Sequence, residues 1–127
     1  MSKLVWVFVG SGVGGVFRYA LSGAAQKAGG GAFPVGTLTV NVIGCLLIGF
    51  LTAALAGPVL LREEHRVALL VGFLGGFTTF STFGLETFHL LNDAQYARAG
   101  WNAVLSVGVG VAGVWIGYRL AEHILGV

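Results

Sequence analysis

The chain has 127 residues, 56% of them hydrophobic and 9% charged, with a formal net charge of +2 and a mean hydropathy of +0.88. Soluble domains carry about 25% charged residues, so this composition belongs to an integral membrane protein. The few cations are scattered, which argues against nucleic acid as a partner, and the single cysteine, Cys45, excludes an intrachain disulfide.

A first apolar span covers residues 4–25, enough for a bilayer core that takes about 20 helical residues. Lys3 ahead of it resembles the start of a signal peptide, but the run is long for one and further spans follow, so a retained helix is expected. Gly10-Ser11-Gly12-Val13-Gly14-Gly15 fits the dinucleotide pattern G-x-G-x-x-G. That fingerprint needs a preceding strand and an acidic residue about 20 positions on. The first acidic residue here is Glu63, so the match fails, as does the one at Gly108, Gly110 and Gly113. Gly10 with Gly14, and Gly113 with Gly117, instead have the small-residue spacing that lets helices approach closely. Arg18, near the end of the span, either positions an anion at a vestibule or snorkels to the interface.

After the Gly29–Gly31 loop a second span covers residues 34–56, with Pro34 in its first turn. Thr37 and Asn41 are i, i+4 neighbours on a face that continues through Gly44 and Cys45. A buried Asn must find partners for its amide, either as a tie between helices or as a pore-lining donor. The charged run Arg62–Arg66 reads as a solvated connection, and a third span covers residues 67–91. Inside it Gly72, Gly75 and Gly76 meet a hydroxyl run of Thr78, Thr79, Ser81 and Thr82, while Phe77, Phe80 and Phe83 recur at helical spacing. The glycines weaken the helix and the hydroxyls compete for its backbone. A break is therefore expected between Gly75 and Thr79. In lipid such a break is tolerated only when buried in protein or facing a wet cavity, and broken membrane helices commonly mark ion sites. Glu86 follows near the far interface. A fourth span covers residues 97–120, with Asn102 and Ser106 on one face.

The expected architecture is one all-α domain, residues 1–127, of four transmembrane helices. It encloses little interior, so a site forms most easily between subunits. Lys3, Arg62, Arg66 and Arg119 on one side face Lys27, Arg98 and Arg18 on the other, a charge bias weak enough to permit insertion both ways. An enzyme is not expected. The three histidines lie apart near interfaces, no carboxylate pair sits inside the membrane, and no His/Cys cluster has metal-ligand spacing. Hydroxyls, amides, aromatic rings and backbone remain, which suit a small ion moving without covalent chemistry. The Phe rings carry a positive edge and a negative face, and sequence alone leaves open which faces a pore.

Gly36-Thr37-Leu38-x-Val40-Asn41, Gly75-Gly76-x-Thr78-Thr79-Phe80-Ser81-Thr82-Phe83 and Gly14-Gly15-x-x-Arg18-Tyr19 together resemble the CrcB/Fluc family of fluoride channels along nearly the whole chain. The resemblance implies an antiparallel, dual-topology homodimer in the microbial cell membrane, with two pores that pass fluoride and exclude chloride, relieving fluoride toxicity. It implies a structural, untransported sodium ion held by backbone carbonyls of Gly75 and Thr78 from each chain. On the fluoride path it places Phe80 and Phe83 by their ring edges, with Asn41 as donor. Thr37, Ser81 and Thr82 extend that path, Ser106 lines it from the other chain, and Arg18 and Glu86 stand at the vestibule. The family often has a tyrosine where Asn102 stands and a small hydroxyl where Gly110 stands. The alternative is a small four-helix, dual-topology, proton-coupled exporter, but the membrane carboxylate such exporters typically need in the first span is missing.

Overall fold

A computed structural model describes residues 2–57 and 61–127; Pro58, which the sequence places at the end of the second span, lies outside them. Helix α1 spans Ser2–Gly29 and α2 spans Val35–Ala56. The third crossing is composite. It starts as α3, Glu63–Val67, passes through a π-helical stretch, Ala68–Phe73, and ends its first half as α4, Leu74–Phe77. Helix α5, Phe80–Asn92, is the second half, and α6 spans Tyr96–Leu125. Among the described residues, four stretches are long and apolar enough to cross a membrane: Ser2–Gly29, Val35–Ala56, Glu63–Asn92 and Tyr96–Leu125. The molecule is thus an all-helical, multi-pass membrane protein. The Arg62–Arg66 run, expected as a solvated connection, is already helical from Glu63. Its two glutamates occupy the first turn, where the helix dipole favours negative charge.

The helices pair out of sequence order. The most extensive contact is α2 against α6, and α1 lies along the π-helical stretch and α4. Glycine sets both approaches. A Cβ on Gly14 would meet the Phe73 carbonyl and the Phe77 amide, and one on Gly10 would meet the Ala68 carbonyl. On the other pair, a Cβ on Gly117 would meet the Leu46 carbonyl and the Phe50 amide, while Gly113 makes only ordinary contacts. Such backbone-to-backbone approach is the usual device for packing helices in lipid, where no hydrophobic force drives them together. The Lys3 ammonium lies 2.8 Å from the Glu63 carboxylate, so the start of α1 and the start of the third crossing share one membrane side. The pair is exposed and adds little stability.

Helix α5 is held most sparingly, touching α6 and the neighbouring stretch of α2. Its C-terminus closes on the α6 connection by a left-handed Ala94 (φ 57°), with the Gln95 amide reaching back 2.8 Å to the Leu90 carbonyl. This is the six-to-one bond of a Schellman cap.

Candidate functional site

The break falls within the expected stretch but is narrower than the glycines suggest. Gly75 and Gly76 stay helical, and only Thr78 and Thr79 are extended, with ψ 158° and 121°. Asn41 holds this conformation. Its Nδ2 donates to the Thr79 carbonyl at 2.9 Å, and its Oδ1 accepts from the Thr79 amide at 2.8 Å. In an unbroken helix the Thr79 amide would bond to the carbonyl of Gly75, four residues earlier. Asn41 takes that donor, and the Gly75 carbonyl is released. One N–H of the Asn41 amide remains uncommitted by these two bonds.

Thr79 then starts the second half-helix. Its hydroxyl accepts from the Thr82 amide at 3.3 Å, an N-cap, and lies 3.1 Å from the Thr82 hydroxyl and 3.5 Å from that of Ser81. The unpaired amides of the first turn and the positive dipole end of α5 therefore gather beside a cluster of hydroxyls. That combination favours an anion. On the opposite side of the break, the released carbonyls at the end of α4 favour a cation.

Two grooves flank the break, and Thr79 is the residue they share. The first, about 400 Å³, is walled by Asn41, Gly75, Thr78, Phe80, Phe83 and Ser106, with Gly44 and Cys45 continuing the α2 wall. The second, about 590 Å³, is lined by Arg18, Tyr19, Ser22, Thr37, Thr79 and Thr82. Asn41, Gly75, Thr78, Phe80, Phe83 and Ser106 thus fall on one groove and Arg18, Thr37 and Thr82 on the other, whereas Ser81 and Glu86 line neither. Phe80 and Phe83 sit with ring centroids 5.6 Å apart and planes at 47°, and Phe80 is 82% exposed. Phe77 departs from the row the spacing suggested: it is 3% exposed and stacks on Phe73 at 5.7 Å, with its ring beside Gly44 of α2, so it belongs to the packing around α4. Ser106 lines the groove of its own chain.

Glu86 is not on either groove wall. One carboxylate oxygen accepts from the Thr37 hydroxyl at 2.6 Å, tying α5 to α2. The other is buried with no hydrogen-bond partner among the described residues. Asn102 is also off the grooves: it is 1% exposed and donates to the Thr87 hydroxyl at 3.0 Å. Gly110 packs beside the Cys45 sulfur.

Sequence reasoning missed Thr79 as the hub and Thr87 as a tie. A hydroxyl placed directly before a helix restart, three residues ahead of Thr82, was the available signal for the first. Nothing local marks the second, because its partner lies 15 residues away.

The fold defines a multi-pass helical membrane protein whose third crossing is interrupted by a polar break. A family model described as CrcB-like protein, Camphor Resistance (CrcB), matches residues 5–118, and the chain belongs to this family. It is 44% identical over 124 residues to a fluoride-specific ion channel FluC of Geobacter sulfurreducens, covering 98% of this chain and 100% of the relative. It is 43% identical over 126 residues to a protein of the same name from Coxiella burnetii (strain Dugway), covering 96% and 99%. A Geobacter metallireducens relative of that name is 42% identical over 124 residues.

Proposed function

We propose that this chain is a passive, fluoride-selective channel that lets fluoride leave the cell and so limits its toxicity. The observation that carries the reading is the Asn41–Thr79 latch, which opens the helix and turns the N-terminus of α5 toward the groove. Fluoride is small and strongly hydrated, so a pore must replace its water with donors. The free Asn41 N–H, the Phe80 and Ser81 amides that open α5, the Ser81 and Thr82 hydroxyls and the positive ring edges of Phe80 and Phe83 are such donors. Arg18 concentrates anions at the mouth of the second groove, and Thr37 leads from there toward Thr79 and Thr82. Ser106 completes the wall at the Phe pair.

The functional unit is an antiparallel homodimer with two pores. Phe80 protrudes from the single chain beside an open groove, and a second copy would cover both. A sodium ion fits the α4 end of the break, where Gly75 and Thr78 wall the first groove. The carbonyls of Gly75 and Thr78 are hard oxygen donors, and the Gly75 carbonyl is released by the latch. Gly75 has open space where a side chain would stand. Such an ion would supply positive charge that holds the two copies together, and its role is structural.

Proteoliposomes loaded with potassium fluoride and given valinomycin are expected to lose fluoride rapidly, and chloride-loaded ones to retain chloride. Retention of fluoride, or loss only under an imposed proton gradient, would overturn the channel reading in favour of coupled export. In the same assay Phe80→Ile, which keeps bulk and removes the positive ring edge, is expected to lower fluoride efflux about tenfold or more.

A further inference from the structure

We infer that Asn102 and Thr87 are positioning residues for Phe83, acting through a two-step polar relay from α6 into the backbone of α5. Asn102 Nδ2 donates to the Thr87 hydroxyl at 3.0 Å, and that hydroxyl donates to the Phe83 carbonyl at 2.8 Å. A Thr hydroxyl bonded back to the carbonyl four residues earlier shifts the local helix geometry, and the direction of the shift follows where the hydroxyl is held. Here Asn102 holds it. The tie matters because α5 has so little other packing: it meets α6 and one stretch of α2. Among the described residues its two interhelical side-chain bonds come from adjacent positions, Glu86 to Thr37 on α2 and Thr87 to Asn102 on α6. They lie one turn beyond Phe83, whose ring lines the first groove. Asn102 does not line that groove and is 1% exposed, so it meets no ion and acts only through Thr87. The register of Phe83 in the groove is thereby set from α6.

For its flux arm the inference rests on the fluoride-channel reading; a second arm does not. Asn102→Leu and Thr87→Val each remove the relay while keeping size, and Thr87→Ser keeps the hydroxyl. In the liposome assay the first two are expected to lower fluoride efflux roughly tenfold, the double variant no further than either single, and Thr87→Ser is expected to restore most of the rate. Backbone hydrogen exchange over residues 80–87 is expected to rise about three- to tenfold in the same two variants, with residues 35–56 unchanged. Wild-type efflux and wild-type exchange in both variants would overturn the inference. So would faster exchange spread through every helix, which would mean a general loss of packing. If the wild-type protein carries no fluoride but exchange rises locally at 80–87, the channel reading falls and the positioning relay stands.

Discussion

Asn41→Asp is expected to lower fluoride efflux by about 100-fold or more. The substitution keeps the oxygen that accepts the Thr79 amide and deletes the N–H that donates to the Thr79 carbonyl. Leaving that carbonyl unpaired away from water costs roughly 1–3 kcal/mol, or about 5- to 150-fold on the population of the latched break. An ionised aspartate would also set negative charge on the proposed path of an anion. Asn41→Ala removes both bonds and adds no charge, and is expected to lose flux through the break alone. Efflux from fluoride-loaded liposomes measures both. If either variant conducts within a factor of about three of the unaltered protein, the latch is not what shapes the path.

The largest effect on stability is expected at Gly49 and Gly117. A Cβ at Gly49 would strike the Val114 carbonyl, with its carbon 2.8 Å away, and one at Gly117 would lie 2.9 Å from the Phe50 amide. Every neighbour is backbone, so nothing can rotate aside and the α2 and α6 axes must separate. Gly→Ala at either site is expected to destabilise by about 1–3 kcal/mol, and Gly→Val by more. Gly23→Ala is the control, since nothing lies where its Cβ would go. There the lower backbone entropy of alanine is expected to be neutral or to stabilise by up to about 1 kcal/mol. Unfolding midpoints in detergent against added denaturant would separate the two classes. Equal midpoints for Gly117→Val and Gly23→Ala would refute the close approach.

The four crossings were legible because length and hydropathy alone define them. The expected 34–56 and 67–91 spans lie within a few residues of Val35–Ala56 and Glu63–Asn92. The break was legible because glycines and hydroxyls crowd one place, although its width was not. Gly75 and Gly76 are poor helix formers, yet α4 keeps them: Gly76 lies against the Ser11 and Gly15 backbone of α1, and the Thr78 amide still closes on the Leu74 carbonyl at 3.0 Å. What selects Thr79 as the point of rupture is Asn41, 38 residues earlier. A residue's own neighbourhood cannot announce a partner that far away. The same reason hides Thr37–Glu86, 49 residues apart. The π-helical stretch at Ala68–Phe73 has no compositional mark; its Gly72 meets the α1 backbone near Val7 and Gly10.

The interleaved pairing of the spans has a consequence for biosynthesis. Each long helix finds its main partner two crossings later: α1 waits for the first half of the third, and α2 waits for α6. Ribosomes deliver the chain from its N-terminus at about 5–20 residues per second, so α2 stays in lipid without its partner until the last crossing emerges. Thr37 and Asn41 reach their partners only when the third crossing arrives. A polypeptide stopped after Gln95 would carry three inserted helices and leave Gly49 of α2 without the α6 backbone it packs against. Quality-control proteases are expected to clear it, whereas the full chain persists. Helix order along the gene thus makes the final span the step that commits the newborn protein to its folded state.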